Sequence, residues 1–427
     1  MNVATEKFKL AVIVEQFKEI MHSKVLLNSL ILALLINSGY IANLMGASGI
    51  VRESFLLPWL VGLFLLSLLV NLKTWKEFKI LPIATFFIFI IIFGILGLIH
   101  GINNYALANF IRFIAISSIT IQTLRQKINI KKLMLFNVII LVLGMYLTYQ
   151  HLFLRRISVG LWLGFSYNLL FPLFACLFVV LKKNFNKWLR VMSGITFLVY
   201  IRFFLHFAAR GAYLFVLIVC IVLFVFYWPK CKKIMIRNFI GITVVSGFIY
   251  IFFSDIIIFI YNLFYNFGIE IRALYRMVGQ LEAGGITTSG RNQLVEEALT
   301  GIRESLFLGN GVGTFMGQQR GATYPHNVYL QFFYEGGFFY FLFLLLITVL
   351  FLYQLIFSPK NYEKLLLILF FSIGFLPLLI SFEYWRNIRF WIAIYYLGWY
   401  TEEKLSQQNR INKIFKLLNQ KGKQLNL

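Results

Sequence analysis

Apolar residues in this chain come in long, nearly unbroken stretches. Neither the alternation of a half-buried strand nor the single stripe of a surface helix describes them. Stretches long enough to span a bilayer fall near 25–45, 55–72, 80–99, 106–122, 132–152, 159–181, 188–207, 211–228, 238–260, 328–357, 363–382 and 386–400. They predict an all-α polytopic membrane protein of about twelve transmembrane helices. An even number of crossings puts both termini on one side. The polar positions between the runs are short connectors, except for 261–327, which forms a loop domain between the ninth and tenth helices. The chain therefore divides into an amphipathic N-terminus (1–24), helices 1–9 (25–260), the loop domain (261–327), helices 10–12 (328–400) and a basic tail (401–427).

Composition removes other classes. Sixty per cent of the 427 residues are hydrophobic, well above a soluble domain. A net charge of +24 would point a soluble protein towards nucleic acid. Here it follows from topology, because basic loops stay in the cytoplasm, and no nucleic-acid partner is expected. Cys176, Cys220 and Cys231 sit in or beside apolar runs, at spacings that fit neither a disulfide framework nor a zinc site. No cleavable signal peptide is evident, since a full-length span follows the basic segment 1–24. That segment reads equally well as a helix on the inner membrane surface or as a frayed tail.

Lysine and arginine sort differently. With the N-terminus inside, 27 of the 40 basic residues fall in inner segments, among them Lys73, Lys76, Lys79, Lys182, Lys183, Lys187 and the tail from Lys404 to Lys423. The opposite orientation violates the positive-inside rule at nearly every loop. The other 13 are all arginine: Arg52, Arg112, Arg155, Arg156, Arg202, Arg210, Arg272, Arg276, Arg291, Arg303, Arg320, Arg386 and Arg389. Topology alone does not separate the two cations, whereas the planar guanidinium fork suits phosphate. Arg112 lies inside its helix, Arg202 and Arg210 flank the outer end of helix 7, and Arg386 and Arg389 fall in the first turn of helix 12. An arginine at such depth faces a cavity or a partner, or snorkels to the interface.

Acids are scarce outside. Asp255 is the only aspartate in the chain. The outward-facing Glu53, Glu270, Glu282, Glu296, Glu297, Glu304 and Glu383 form no cluster along the sequence that would hold an ion. The expectation is a site without metal or cofactor, in which arginines supply the positive charge.

Most of the candidate chemistry lies in 287–337, TTSGRNQLVEEALTGIRESLFLGNGVGTFMGQQRGATYPHNVYLQFFYEGG. Ser289 is placed to cap a helix, and Leu294, Val295, Ala298, Leu299, Ile302 and Leu306 give it one apolar face. Arg291 falls in the first turn. Free amides and a cation there suit a phosphate, or the arginine points into water. GNGVGTF has neither the Lys-Ser/Thr pair of a P-loop nor a preceding strand, so it reads as the turn ending this helix, with Gly309 as C-cap. His326 follows Pro325, which fixes its own torsion and favours an extended Tyr324. Asn327 begins helix 10, and Glu335 lies further along the same face, where it could orient His326 or bind sugar. His326 is a candidate base because imidazole titrates near neutrality, or it is an interface histidine at the head of helix 10.

The order SGR, amphipathic helix, GxGxG turn, HN and EGG entering a hydrophobic helix resembles the core domain of the O-antigen ligase and polymerase superfamily. AARGAYLFVLIV at Ala208–Val219 resembles that family's arginine-glycine motif at the head of a membrane helix, with Ala209 where the family carries serine. The resemblance implies an enzyme of the bacterial cytoplasmic (inner) membrane, with its active site facing the periplasm. It implies transfer of a glycan from an undecaprenyl diphosphate-linked oligosaccharide. The acceptor is a second carrier-linked glycan for a polymerase, or lipid A-core for a ligase, and a chain-length regulator protein is an optional further partner. Carried over by motif, Arg210, Arg291 and His326 take the catalytic roles. Arg112, Arg202, Arg386, Arg389, Asn327 and Glu335 are the substrate-binding candidates, with membrane lipids around them. A flippase of lipid-linked oligosaccharide is the rival class. It predicts charged groups at both ends of a pathway and inverted repeats, whereas the intramembrane cations here keep to the outer half.

Overall fold

The computed structural model describes residues 23–47, 52–72, 78–125, 128–150, 159–207, 210–227, 231–269, 271–282, 291–315, 323–359, 361–379 and 382–425. Helix occupies each of the twelve apolar runs. In chain order the helices are α1 (Ser23–Ile36), α2 (Ser38–Ala47), α3 (Arg52–Asn71), α4 (Ile80–His100), α5 (Asn104–Thr123), α6 (Ile130–Tyr149), α7 (Val159–Leu181), α8 (Lys187–Phe207) and α9 (Arg210–Val222). They continue with α10 (Lys232–Ile251), α11 (Phe253–Asn266), α12 (Arg272–Glu282), α13 (Arg291–Glu304), α14 (Val328–Phe357), α15 (Tyr362–Phe370) and α16 (Ile388–Leu425).

Six segments among the described residues are long and apolar enough to cross a membrane: α4, α5, α6, the Gly164–Leu181 part of α7, α14, and α15 with its continuation to Leu379. The bent pair α1–α2 makes a seventh if counted as one span. The protein is a multi-pass membrane protein. The other apolar runs fall short of this measure for local reasons. α3 and α9 contribute shorter apolar segments, Phe55–Asn71 and Gly211–Tyr227. The run 238–260 is interrupted at Phe252, whose torsions (φ −98°, ψ 23°) separate α10 from α11. α8 carries Lys187, Arg190 and Arg202, and α16 carries Arg389, Glu402, Glu403 and Lys404.

The core is built around the first half of α16. Every side chain from Phe390 to Tyr400 is buried. This stretch packs against α4, α5, α15 and the π-helical turn Phe371–Phe375 that succeeds α15. Trp391 lies edge-on to Phe89, with ring centroids 4.8 Å apart, and 4.5 Å from Phe113. Such aromatic pairs add to the area they bury. Polar side chains pin other helices together: Tyr40 of α2 lies 2.7 Å from the Tyr200 hydroxyl of α8 and 3.0 Å from Thr148 of α6. Asn37, at the bend between α1 and α2, donates to Asn137 of α6 at 2.6 Å. Within a membrane, bonds of this kind take the place of the hydrophobic drive between helices.

Candidate active site

α13 begins at Arg291, where the sequence pattern places it, and buries Leu294 and Ala298 against Phe315 and Tyr334, with Ile302 buried as well. Ser289 lies outside the described residues. The helix ends at Glu304, and the chain turns at Gly309, whose φ of +68° favours glycine. The glycine-rich turn braces α14. That helix breaks at Gly337 (φ 70°, ψ −163°), where a Cβ would collide with the Phe307 carbonyl. The break leaves carbonyls without their helical donors, and the turn supplies replacements. Asn310 N donates to Tyr334 O at 2.7 Å and Gly311 N to Glu335 O at 2.9 Å, while Phe338 N donates to Leu306 O at 2.9 Å. These amides hold protein, so the turn is not a phosphate cradle.

Glu335 sits inside this packing. Its Oε2 accepts from the Tyr384 hydroxyl at 2.5 Å and Trp385 Nε1 at 3.0 Å; its Oε1 accepts from Gln331 Nε2 at 2.9 Å and Gly313 N at 3.4 Å. A fully buried carboxylate needs such partners. It fastens the kinked α14 to the turn before α16 and does not line the cavity beside that turn.

That cavity measures about 270 Å³. Its polar wall comes from Thr323, Tyr324, Glu383, Arg386, Arg389 and Asn168, and its apolar wall includes Tyr167 and Phe382. Among the described residues, His326 (φ 56°) and Phe382 (φ 67°) are the non-glycine residues with positive φ. One lines the cavity and the other packs on Tyr324, which lines it. Left-handed backbone at side-chain-bearing residues persists only where the surroundings enforce it, and it gathers at functional sites.

The His326 ring stands 4.4 Å from that of Tyr324, and its Nδ1 is buried without a hydrogen-bond partner among the described residues. Burial, and then the positive charge of Arg291, lower its pKa to about 4, so the ring is neutral at neutral pH. Burial also pushes Tyr324 up to about 12, with the Glu383 charge adding to the rise. The segment thus offers a protonated phenol beside a neutral imidazole, next to a cation. A neutral imidazole with an unengaged nitrogen can accept a proton.

Residues 195–345 match the family model described as O-antigen ligase. That match supports a relationship to the O-antigen ligase and polymerase superfamily. The match indicates an O-antigen ligase-type function in surface polysaccharide biosynthesis, and the family implies a lipid-linked glycan and an acceptor as substrates. Among curated proteins nothing matches the chain.

The segment matched to the O-antigen ligase family carries Arg202, Arg210, Arg291, His326, Asn327 and Glu335. Arg202 is exposed on α8. Arg210 opens α9, and its side chain lies outside the described residues. Asn327 caps α14, its Oδ1 accepting from Tyr329 N at 2.9 Å and Leu330 N at 3.2 Å. The other candidates lie beyond the matched segment. Arg112 is half-buried on α5, close enough to act on the charge of Glu383. Arg386 precedes α16 instead of opening it, because Asn387 is the capping residue and accepts from Arg389 N at 3.1 Å and Phe390 N at 3.2 Å. Arg389 Nη1 donates to Tyr167 O at 2.9 Å, and its Nη2 to Asn168 O at 3.1 Å and Asn168 Oδ1 at 2.8 Å. The guanidinium lines the cavity while holding α7.

Sequence reasoning did not reach the partnership of Glu383 with Tyr105 and Asn109. The one available signal was an acid three residues before Arg386.

Proposed function

We propose that the chain transfers a glycan from an undecaprenyl diphosphate carrier to an acceptor hydroxyl on the periplasmic face, as a polymerase of O-antigen or related repeat units. The observation that carries the reading is the neutral His326 with its unpartnered Nδ1, influenced by Arg291 and packed on Tyr324, which lines a cavity whose wall also holds Arg386 and Arg389. The YPHNVYLQFFYEGG stretch resembles polymerase members. The family description favours the second reading, ligation to lipid A-core. Twelve crossings with both termini inside, and 261–327 outside, accord with the lysine distribution.

The reaction is a single displacement. The acceptor oxygen attacks the anomeric carbon, and the bond from that carbon to the diphosphate oxygen breaks. The diphosphate leaves with the electron pair. Arg291 and Arg210 meet its developing charge, since preorganised cations in a water-poor site stabilise charge strongly. His326 takes the acceptor proton. No metal is required in this scheme, because guanidinium groups carry the electrostatic role.

The test is reconstitution of the purified chain with polyprenyl diphosphate-linked oligosaccharide. Longer lipid-linked glycans establish polymerase activity, and product formed only on added lipid A-core establishes a ligase. Unchanged donor in both assays contradicts the reading.

A further inference from the structure

A chain of side-chain hydrogen bonds ties the His326 segment to the body of the bundle. Tyr105, on the first turn of α5, has its hydroxyl 2.5 Å from Glu383 Oε2 and 3.0 Å from Thr323 Oγ1. A phenol has one proton to give. The carboxylate receives it, and the Thr323 hydroxyl donates to the phenol oxygen in turn. Glu383 Oε1 accepts from Asn109 Nδ2 at 3.2 Å, and Arg386 Nε lies 3.4 Å from Oε2 while donating to Asn109 Oδ1 at 3.1 Å. The Arg386 guanidinium covers the Tyr105 ring at 4.6 Å. The Glu383 side chain is 3% exposed, so the acid is buried and held from α5 and from its own turn. Thr323 stands three residues before His326, with the torsionally fixed Pro325 between them.

We propose that Glu383 is a positioning residue for the transfer reaction: as a carboxylate, acting through Tyr105 and Thr323, it holds the Tyr324–His326 segment against the cavity. The inference rests on the glycan-transfer reading and adds to it a residue outside the segment matched to the family.

The direction of its pH dependence comes from the hydrogen bonds. A protonated Glu383 carries a proton of its own, is a weaker acceptor for Tyr105, and loses its charge attraction for Arg386. Glu383 lies between the span ending at Leu379 and α16. Burial raises its pKa to about 7 against the opposing Tyr105 hydrogen bond, with Glu335 adding to the rise and Arg386 and Arg112 opposing it. The charged and titratable groups facing it are Tyr105 and Arg112 from α5, Glu335 from α14, Tyr324 from the loop, and Arg386. His326 titrates near 4. Turnover is therefore sustained above pH 7 and lost as the pH falls through about 7, and this limb belongs to Glu383.

The experiment measures turnover and donor KM against pH for the purified full-length chain, as wild type, Glu383→Gln and Tyr105→Phe. Wild type loses kcat below about pH 7. Both variants run about tenfold slower without that limb, and donor KM stays within about twofold, as expected when proton transfer is misaligned but binding is kept. An unchanged limb in Glu383→Gln, or wild-type kcat in Tyr105→Phe, overturns the proposal. A second readout needs no activity: amide hydrogen exchange at Tyr324, His326 and Asn327, corrected for intrinsic rate. It rises below pH 7 in wild type and is raised at every pH in Glu383→Gln. Exchange that is the same in both proteins and independent of pH overturns the positioning role. Absence of product from wild type in every assay counts against the glycan-transfer reading alone, and the exchange result still decides this one.

Discussion

Arg389 Nη2 lies 3.1 Å from the main-chain oxygen of Asn168 and 2.8 Å from its side-chain oxygen. The reason is written four residues further along α7. Pro172 has no N–H, so the Asn168 carbonyl has no helical donor. The guanidinium supplies one and reaches Tyr167 O as well, at 2.9 Å. Arg389 thus supplies the donor that Pro172 withholds from α7.

Arg389→Lys is therefore expected to destabilise the fold. An ammonium cannot reproduce the fork, and the Asn168 carbonyl left unpaired in the interior costs about 1–3 kcal/mol. Thermal unfolding of the detergent-solubilised protein measures this, and an unchanged midpoint would count against the role.

Arg291→Lys and Arg210→Lys are expected to lower transfer about tenfold or more, because a point charge replaces a bidentate donor for a diphosphate. Arg303→Lys, at the exposed far end of α13, keeps near wild-type activity and serves as the control. Near wild-type product from either of the first two, at equal protein level, removes that residue from the site.

The helices were legible because apolar runs of spanning length admit few other structures. The start of α13 was legible from spacing, as were its buried Leu294, Ala298 and Ile302, but Leu299 and Leu306 of the expected face are exposed; the turn at Gly309 was legible from glycine. The breaks at Asn37 and Phe252 were not, since hydropathy stays high on both sides of each. Glu383 and Tyr105 are 278 residues apart, and no local pattern joins such a pair. Depth left Arg389 open between a partner and snorkelling, and the structure gives it the Asn168 carbonyl released by Pro172 in another helix, together with Tyr167 O. Glu335 looked available for sugar until the kink at Gly337 placed it among Tyr384, Trp385 and Gln331.

The proposed orientation makes a labelling prediction. In a background with Cys220 and Cys231 replaced by serine, Thr300→Cys should react with a membrane-impermeant thiol reagent in intact cells, and Lys233→Cys should not. Both positions are exposed, so the difference reports sidedness. Labelling of Lys233→Cys reverses the orientation.

In that proposed orientation, scarce outer-facing acids and abundant outer arginines predict full activity of the purified protein in excess EDTA. Activity lost to chelation and restored by magnesium or manganese would sink the metal-free scheme.

The central claim is that His326 takes the acceptor proton while arginines hold the diphosphate. With a pKa near 4, the imidazole is neutral and competent from mildly acid to alkaline pH, and its protonation limits the rate only below about pH 5. The most direct measurement is turnover at saturating donor together with donor affinity, for wild type and His326→Ala at neutral pH. Turnover about 10²-fold lower or more, the usual scale for loss of a general base, with donor affinity unchanged, is the predicted result. A variant that turns over normally at saturation but binds donor far more weakly would make His326 a binding residue and contradict the account.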